Sequence, residues 1–225
     1  MNTSKFSMLT VGLLVFAFQS CLKNSDIEPT PLPSAVVTVR PQTDGTFFLQ
    51  LDDSTKLQPT NLKTSPYRKE VRALVSYKTE EADKKARVRN VHINWIDSIR
   101  TKKPVPNLGA ENTAKYGNDP IEVVQDWTTV AEDGYLTLRV RTQWSRTRVR
   151  HALNLVTNVN PNDPYEFELR HDAKGDVGGT MGDVLIAFNL NELPNKPDTG
   201  KVKLKLKWKS FSGDKSREFN LQLRQ

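Results

Sequence analysis

Lys201, Lys203, Lys205, Lys207 and Lys209 alternate with Val202, Leu204, Leu206 and Trp208. An extended chain turns successive side chains to opposite faces, so the ammonium groups share one face at a spacing of about 7 Å. The chemistry open to such a row is electrostatic. It can hold an acidic glycan or lipid phosphates, or it can keep an edge or outer strand from pairing with another chain. The second reading is favoured, because lysine is a common guard of sheet edges. Arg139, Arg141, Arg146, Arg148 and Arg150 form another basic group on an expected hairpin around Trp144 and Ser145. Like charges facing each other across strands are destabilising unless compensated. Glu166 and Glu168, outward on the following strand, are the expected neutralisers, which favours a structural charge ladder over an anion site.

His151 and His171 fall on apolar faces, with Asp172 and Asp176 close behind the second. Zinc hydrolysis would need a ligand pattern such as HExxH, which the chain lacks. Buried histidines satisfied by the backbone are expected instead, with no metal. Residues 175–182 (GDVGGTMG) are glycine-rich but lack the GK[ST] ending of a phosphate loop. They are expected to form a flexible loop between strands. No GxSxG nucleophile elbow occurs. No catalytic residue, cofactor or enzymatic activity is expected.

Cys21 is the only cysteine, which excludes an intrachain disulfide and a CxxC zinc site. Residues 8–18 (MLTVGLLVFAF) are an apolar run behind Lys5. A bilayer span needs about 20 such residues, so the run fits the core of a signal peptide. Phe18-Gln19-Ser20-Cys21 resembles a bacterial lipobox, with a small residue at Ser20 and looser residues before it. Cys21 is then the expected acylated N-terminus, residues 1–20 a removed leader, and 21–34 a proline-bearing tether. The other reading is an ordinary secretory signal with a coincidental cysteine. Each buried CH₂ of an acyl chain contributes about 0.8 kcal/mol, so several chains hold firmly where one does not.

Lys5 is the only charged residue in that leader, so the formal charge of +7 falls by one on its removal. A basic surface suits an acidic partner: anionic polysaccharide, lipid head groups or nucleic acid. An exported chain meets little nucleic acid, and none is expected as a partner.

The elements that must position these residues are strands. Residues 35–40 are rich in β-branched side chains, and 46–52 follow an Asp44-Gly45 turn with Phe47, Leu49 and Leu51 on one face. A short strand at 56–58 ends at Pro59. Val71, Ala73, Val75 and Tyr77, then Val91, Ile93 and Trp95, repeat with period two, around a charged loop or helical turn at 79–86. Five short strands in residues 35–105 predict a small barrel of the OB or SH3 type. Residues 106–118 read as a linker. In 119–225, strands are expected at 121–129, 135–143, 148–156, 165–171, 184–190, 202–208 and 219–223, which predicts an Ig-like antiparallel β-sandwich. The Cys…Trp…Cys spacing of a true immunoglobulin domain is missing.

Several short pieces, in order, carry a resemblance. They are Phe48-Leu49-Gln50-Leu51-Asp52, Leu57-Gln58-Pro59-Thr60-Asn61, Arg72-Ala73-Leu74-Val75 and Thr101-Lys102-Lys103-Pro104-Val105. They continue with Tyr135-Leu136-Thr137-Leu138, with residues 151–156 (HALNLV) and with 169–176 (LRHDAKGD). With them the chain resembles the NigD-like lipoproteins of Bacteroidetes. The resemblance implies an N-terminal OB-like domain, a C-terminal β-sandwich and a link to bacteriocin immunity or export. It carries no catalytic residue. The expectation is an all-β, non-catalytic outer-membrane lipoprotein, anchored in the membrane through Cys21. Either face of that membrane, periplasmic or cell-surface, is open to it. Its partner is an envelope protein or, alternatively, an anionic glycan.

Overall fold

An apolar residue at every second position commits a segment to a strand with one buried face. The computed structural model describes residues 31–80, 85–145, 148–194 and 196–224, and it builds such strands from Ala35 onward. The first five are β1 (Ala35–Pro41), β2 (Phe47–Gln50), β3 (Lys56–Pro59), β4 (Val71–Thr79) and β5 (Val88–Ser98). They close a barrel in the order β1-β2-β3-β5-β4. All its pairings are antiparallel except β3 on β5. Val37, Val39, Leu49, Leu57, Ala73, Val75 and Val91 fill its interior with no exposed surface. The β1–β2 turn uses Gly45 at φ +84°, and Asp44 Oδ1 accepts the Thr46 N–H at 2.9 Å.

The rest of the chain is a sandwich. Its elements are β6 (Thr101–Lys102), β7 (Val105–Pro106), a 3-10 turn (Gly109–Glu111) and α1 (Asn112–Tyr116). The strands β8 (Glu122–Val123), β9 (Val130–Glu132), β10 (Tyr135–Trp144), β11 (Ala152–Thr157) and β12 (Glu166–Asp172) follow. The last are β13 (Thr180–Asn189), β14 (Lys201–Ser210) and β15 (Gly213–Gln222). One sheet runs β6-β13-β10-β8 with β9 beside β10, and the other runs β15-β14-β12-β11-β7. Leu136, Leu138, Ile186 and Phe188 from the first sheet meet Leu155, Phe167, Leu204 and Leu206 from the second. The expected class is therefore the class found, a closed five-stranded barrel followed by a β-sandwich. Three sandwich pairings, β6–β13, β7–β11 and β12–β14, are parallel.

Several local expectations are corrected. The strand expected at 121–129 stops at Val123, because Asp126 Oδ1 accepts the Thr128 N–H at 2.9 Å and turns the backbone. The strand expected from 148 begins only at Ala152. Conversely, Thr180–Gly182 of the glycine-rich run are not loop but the start of β13, paired with Trp144, Gln143 and Thr142. Part of the expected linker is helical, since α1 tucks in Asn112 and Tyr116, and Tyr116 Oη donates to the Pro106 carbonyl at 3.1 Å. The leader, Cys21, most of the tether, Arg146 and residues 81–84 of the charged segment lie outside the described residues.

Barrel and sandwich meet over Val36 and Ile99 from one side and Ala187 from the other. Arg72, with no exposed surface, crosses the joint. Its Nη1 donates to Thr38 Oγ1 at 3.1 Å, its Nε donates to Thr137 Oγ1 at 3.2 Å, and Glu132 lies 3.5 Å away. Beside it, Arg224 bridges Asp133 (2.6 Å) and Glu70 (2.8 Å), and Arg40 reaches Asp133 as well.

Candidate functional site

The lysine row lies on β14 with its alternate residues Val202, Leu204, Leu206 and Trp208 in the core. β14 is flanked by β15 and β12, so of the expected edge or outer strand the edge position is overturned; β15 is the edge. Being inside the sheet, the lysines have cross-strand neighbours of opposite charge. Lys203 pairs with Glu218 at 2.8 Å. Lys205 and Lys207 share the carboxylate of Glu166 at 3.1 and 3.0 Å. Lys209 donates to the Asn118 carbonyl at 3.0 Å. Lys207, then Lys205, hold the Glu166 carboxyl down to about 2. Among the described residues only Lys201 of the row has neither an ion pair nor a side-chain hydrogen bond.

The arginines do not form one ribbon. β10 and β11 belong to different sheets, so no hairpin joins them. Arg139 and Arg141 stand on the outer face of β10, where Arg139 Nε and Arg141 Nη2 donate to Asp183 at 2.8 and 2.9 Å. Arg139 Nη1 also donates to Asp126 at 2.6 Å. These contacts, Arg141 first, lower the Asp183 carboxyl to about 2. The expected neutralisers are thus corrected: Asp183 and Asp126 serve the arginines, Glu166 serves lysines, and Glu168 pairs with Arg170 at 3.0 Å. Arg148 and Arg150 are exposed in the crossover between the sheets.

His171 is almost fully buried at 1% exposure, and its Nδ1 donates to the Pro120 carbonyl at 3.1 Å. Gly117, at φ +80°, lets the chain pass close by, since a Cβ there would lie 2.4 Å from the His171 carbonyl oxygen. His171 Nε2 then faces His151 Nδ1 at 2.9 Å. His151 departs from the expectation of backbone partners: its Nε2 points at Asp176 Oδ2 at 3.4 Å, and its ring stacks on Trp144 with centroids 4.0 Å apart. Asp176, brought in by the glycine-rich run, accepts the Ser145 N–H at 3.0 Å and the Ser145 hydroxyl. Burial lowers the basicity of His171, and the neighbouring His151 adds to this, while Pro120 opposes it. Because Ser145 gives its hydroxyl proton to a carboxylate and not to an imidazole, the group is not arranged as a nucleophile with its base. Among the described residues no three His, Cys, Asp or Glu side chains are placed to hold a metal ion.

Above this cluster a cavity of about 550 Å³ opens between β11 and β13. Trp144, Leu153, Val184 and Ile186 line it, with Arg100, Lys102 and Arg150 among its walls. It exists because β6 covers β13 only at Ala187 and Phe188, and β7 covers β11 only at Val156 and Thr157. The sheets are uncovered beyond those pairs, and Val184, on the core side, stays 39% exposed. Sequence reasoning missed Arg100, Lys102, Trp144 and Val184 as a group, because they come from separate segments with no shared spacing.

Comparison with known proteins places the chain among close architectural relatives. A family model described as the NigD-like N-terminal OB domain matches residues 36–99. A second, the NigD-like C-terminal beta sandwich domain, matches residues 103–221. A candidate toxin-related protein from Parabacteroides distasonis is 32% identical, with TM-score 0.69 over 84% of this chain and 92% of that one. A NigD-like immunity protein from Bacteroides caccae is 20% identical, with TM-score 0.59 over 84% and 92%. A candidate lipoprotein from Bacteroides fragilis is 11% identical, with TM-score 0.58 over 84% and 97%. No curated protein sequence matches.

Proposed function

This chain belongs to the NigD-like family, and from that membership we propose a non-catalytic, lipid-anchored cell-envelope protein of the accessory or immunity and export-associated type, acting by binding another protein. The lipobox-like Phe18-Gln19-Ser20-Cys21 supports an outer-membrane anchor, and the names of relatives as an immunity protein and a lipoprotein support a cell-envelope setting.

One observation carries the choice of a protein partner over an anionic glycan. A row of lysines attracts a polyanion through uncompensated charge, yet Lys203, Lys205 and Lys207 are paired with Glu218 and Glu166. Arg139 and Arg141 are likewise held by Asp126 and Asp183. The β10 face is matched charge for charge, and on the lysine face only Lys201 and Lys209 lack a carboxylate, so neither face presents the unbroken row of free cations that a glycan or envelope polymer would neutralise.

Two measurements test the proposal. Cys21→Ser should abolish acylation and let chain that keeps residues 1–20 accumulate; a normally processed product still held at the membrane rejects the anchor. A pull-down from envelope extract should return one protein at both about 0.1 M and about 1 M salt, where Debye lengths are about 10 and 3 Å. Capture of polysaccharide that washes off at high salt, and is lost with Lys203→Glu, Lys205→Glu and Lys207→Glu together, would establish the glycan reading instead.

A further inference from the structure

We propose that the mouth of the sandwich between β11 and β13 is a binding site for a small organic anion with an apolar body, an aliphatic or aromatic carboxylate. The site is separate from the protein–protein reading above and stands or falls without it.

Three observations converge there. The cavity, about 550 Å³, falls in the range of about 300–1,000 Å³ that small-molecule sites occupy. Its apolar surface comes from Trp144, Leu153, Val184 and Ile186, and Val184 remains 39% exposed although its alternation places it on the core side. An apolar residue left open on an inner face is surface that an apolar ligand would take out of water.

The cations are the second observation. Elsewhere on the sandwich the basic side chains of β10 and most of β14 have acidic partners. Around the mouth they do not. Among the described residues Arg100, Lys102 and Arg150 make no ion pair, and no carboxylate lines the cavity. Lys102 donates only to neutral acceptors, the Leu153 carbonyl and Asn154 Oδ1. Desolvation, and then the nearby Arg100, lower its basicity, so an anion placed there would relieve an existing cost.

Third, the wall is built rather than incidental. Trp144 stacks on His151 at 4.0 Å between centroids, and its Nε1 donates to the Gly182 carbonyl at 3.3 Å. The His151 ring is in turn fixed by His171 and Asp176. The apolar wall is thereby rigid before any ligand arrives. A free inorganic anion would leave that wall in water, and a neutral lipid would leave the cations unpaired; an apolar carboxylate satisfies both.

Calorimetric titration of the full chain with decanoate, with decanol and acetate as controls, tests the site. Decanoate should bind saturably with one molecule per chain, and the controls at least about tenfold more weakly. Arg100→Gln with Arg150→Gln should weaken decanoate by about tenfold or more. Val184→Glu, at an exposed position that leaves the circular dichroism unchanged, should abolish binding by placing a carboxylate in the mouth. Residues 1–34 are the same in all these proteins, so their difference reads the mouth alone. Equal affinity for decanol, no effect of the arginine or Val184 substitutions, or binding of an extended acidic peptide where decanoate does not bind would each overturn the proposal.

Discussion

Glu166 and Asp183 each hold two cations with one carboxylate, and both are lowered to about 2 as a result. His171 is shifted down for a different reason, chiefly desolvation. In all three the native pKa lies below that of the unfolded chain, so the stabilisation is complete above the unfolded value and is lost as pH falls through the native one. The windows differ. Stability should first decline as pH drops below the ordinary histidine value of 6.5. It should decline again from about 4.5 and 3.8 toward 2 as the carboxylates protonate. Melting midpoints measured against pH should show both limbs. His171→Gln should flatten the first and Glu166→Gln with Asp183→Asn the second. A limb that survives its own substitution assigns it to other groups.

At the scale of elements, the strands decide which side chains meet. β13 is longer than its apolar core because Thr180, Met181 and Gly182 continue the ladder opposite Trp144, Gln143 and Thr142. Gly182 has an ordinary backbone but a crowded one: a Cβ there would lie 2.7 Å from Trp144 Cδ1. Gly182→Ala should therefore push the indole off His151 while leaving the ladder intact. The expected readout is a red-shifted tryptophan emission with little change in far-ultraviolet circular dichroism. An unchanged emission would show that the ring can yield without leaving its stack. The alternation that marks β10, β12 and β14 was legible residue by residue, since Leu136, Phe167 and Leu204 sit where period two places them. The charge partners were not. Sequence order alone points Glu166 at the arginines it follows, whereas the parallel β12–β14 pairing sets it opposite Lys205.

For the molecule as a whole, the barrel and sandwich share buried charge at their joint. Arg72 is less basic than usual because burial outweighs the attraction of Glu132, and Glu132 is raised for the same reason. Such a pair adds little net stability but is costly to break from one side. Arg72→Ala should therefore destabilise the chain by about 3–5 kcal/mol, and Arg72→Met, which keeps the volume, by much less if Glu132→Gln accompanies it. Calorimetry decides this: a loss under about 1 kcal/mol for Arg72→Ala would mean that Glu132 finds another partner or water. The sequence by itself determined most of the strands and their buried faces, the all-β class and the order of the two folds, because alternation is a property of neighbours along the chain; it misplaced the ends of β8, β11 and β13, which turns and pairing decide. It also contained the family likeness, carried by short pieces in a fixed order. Only the tertiary structure decided that β14 is interior, that β10 and β11 lie in opposite sheets, and that His151, His171 and Asp176 converge beneath an open mouth. Those facts depend on pairing between segments far apart in the chain, and the hydrophobic pattern that makes a strand does not specify its neighbour.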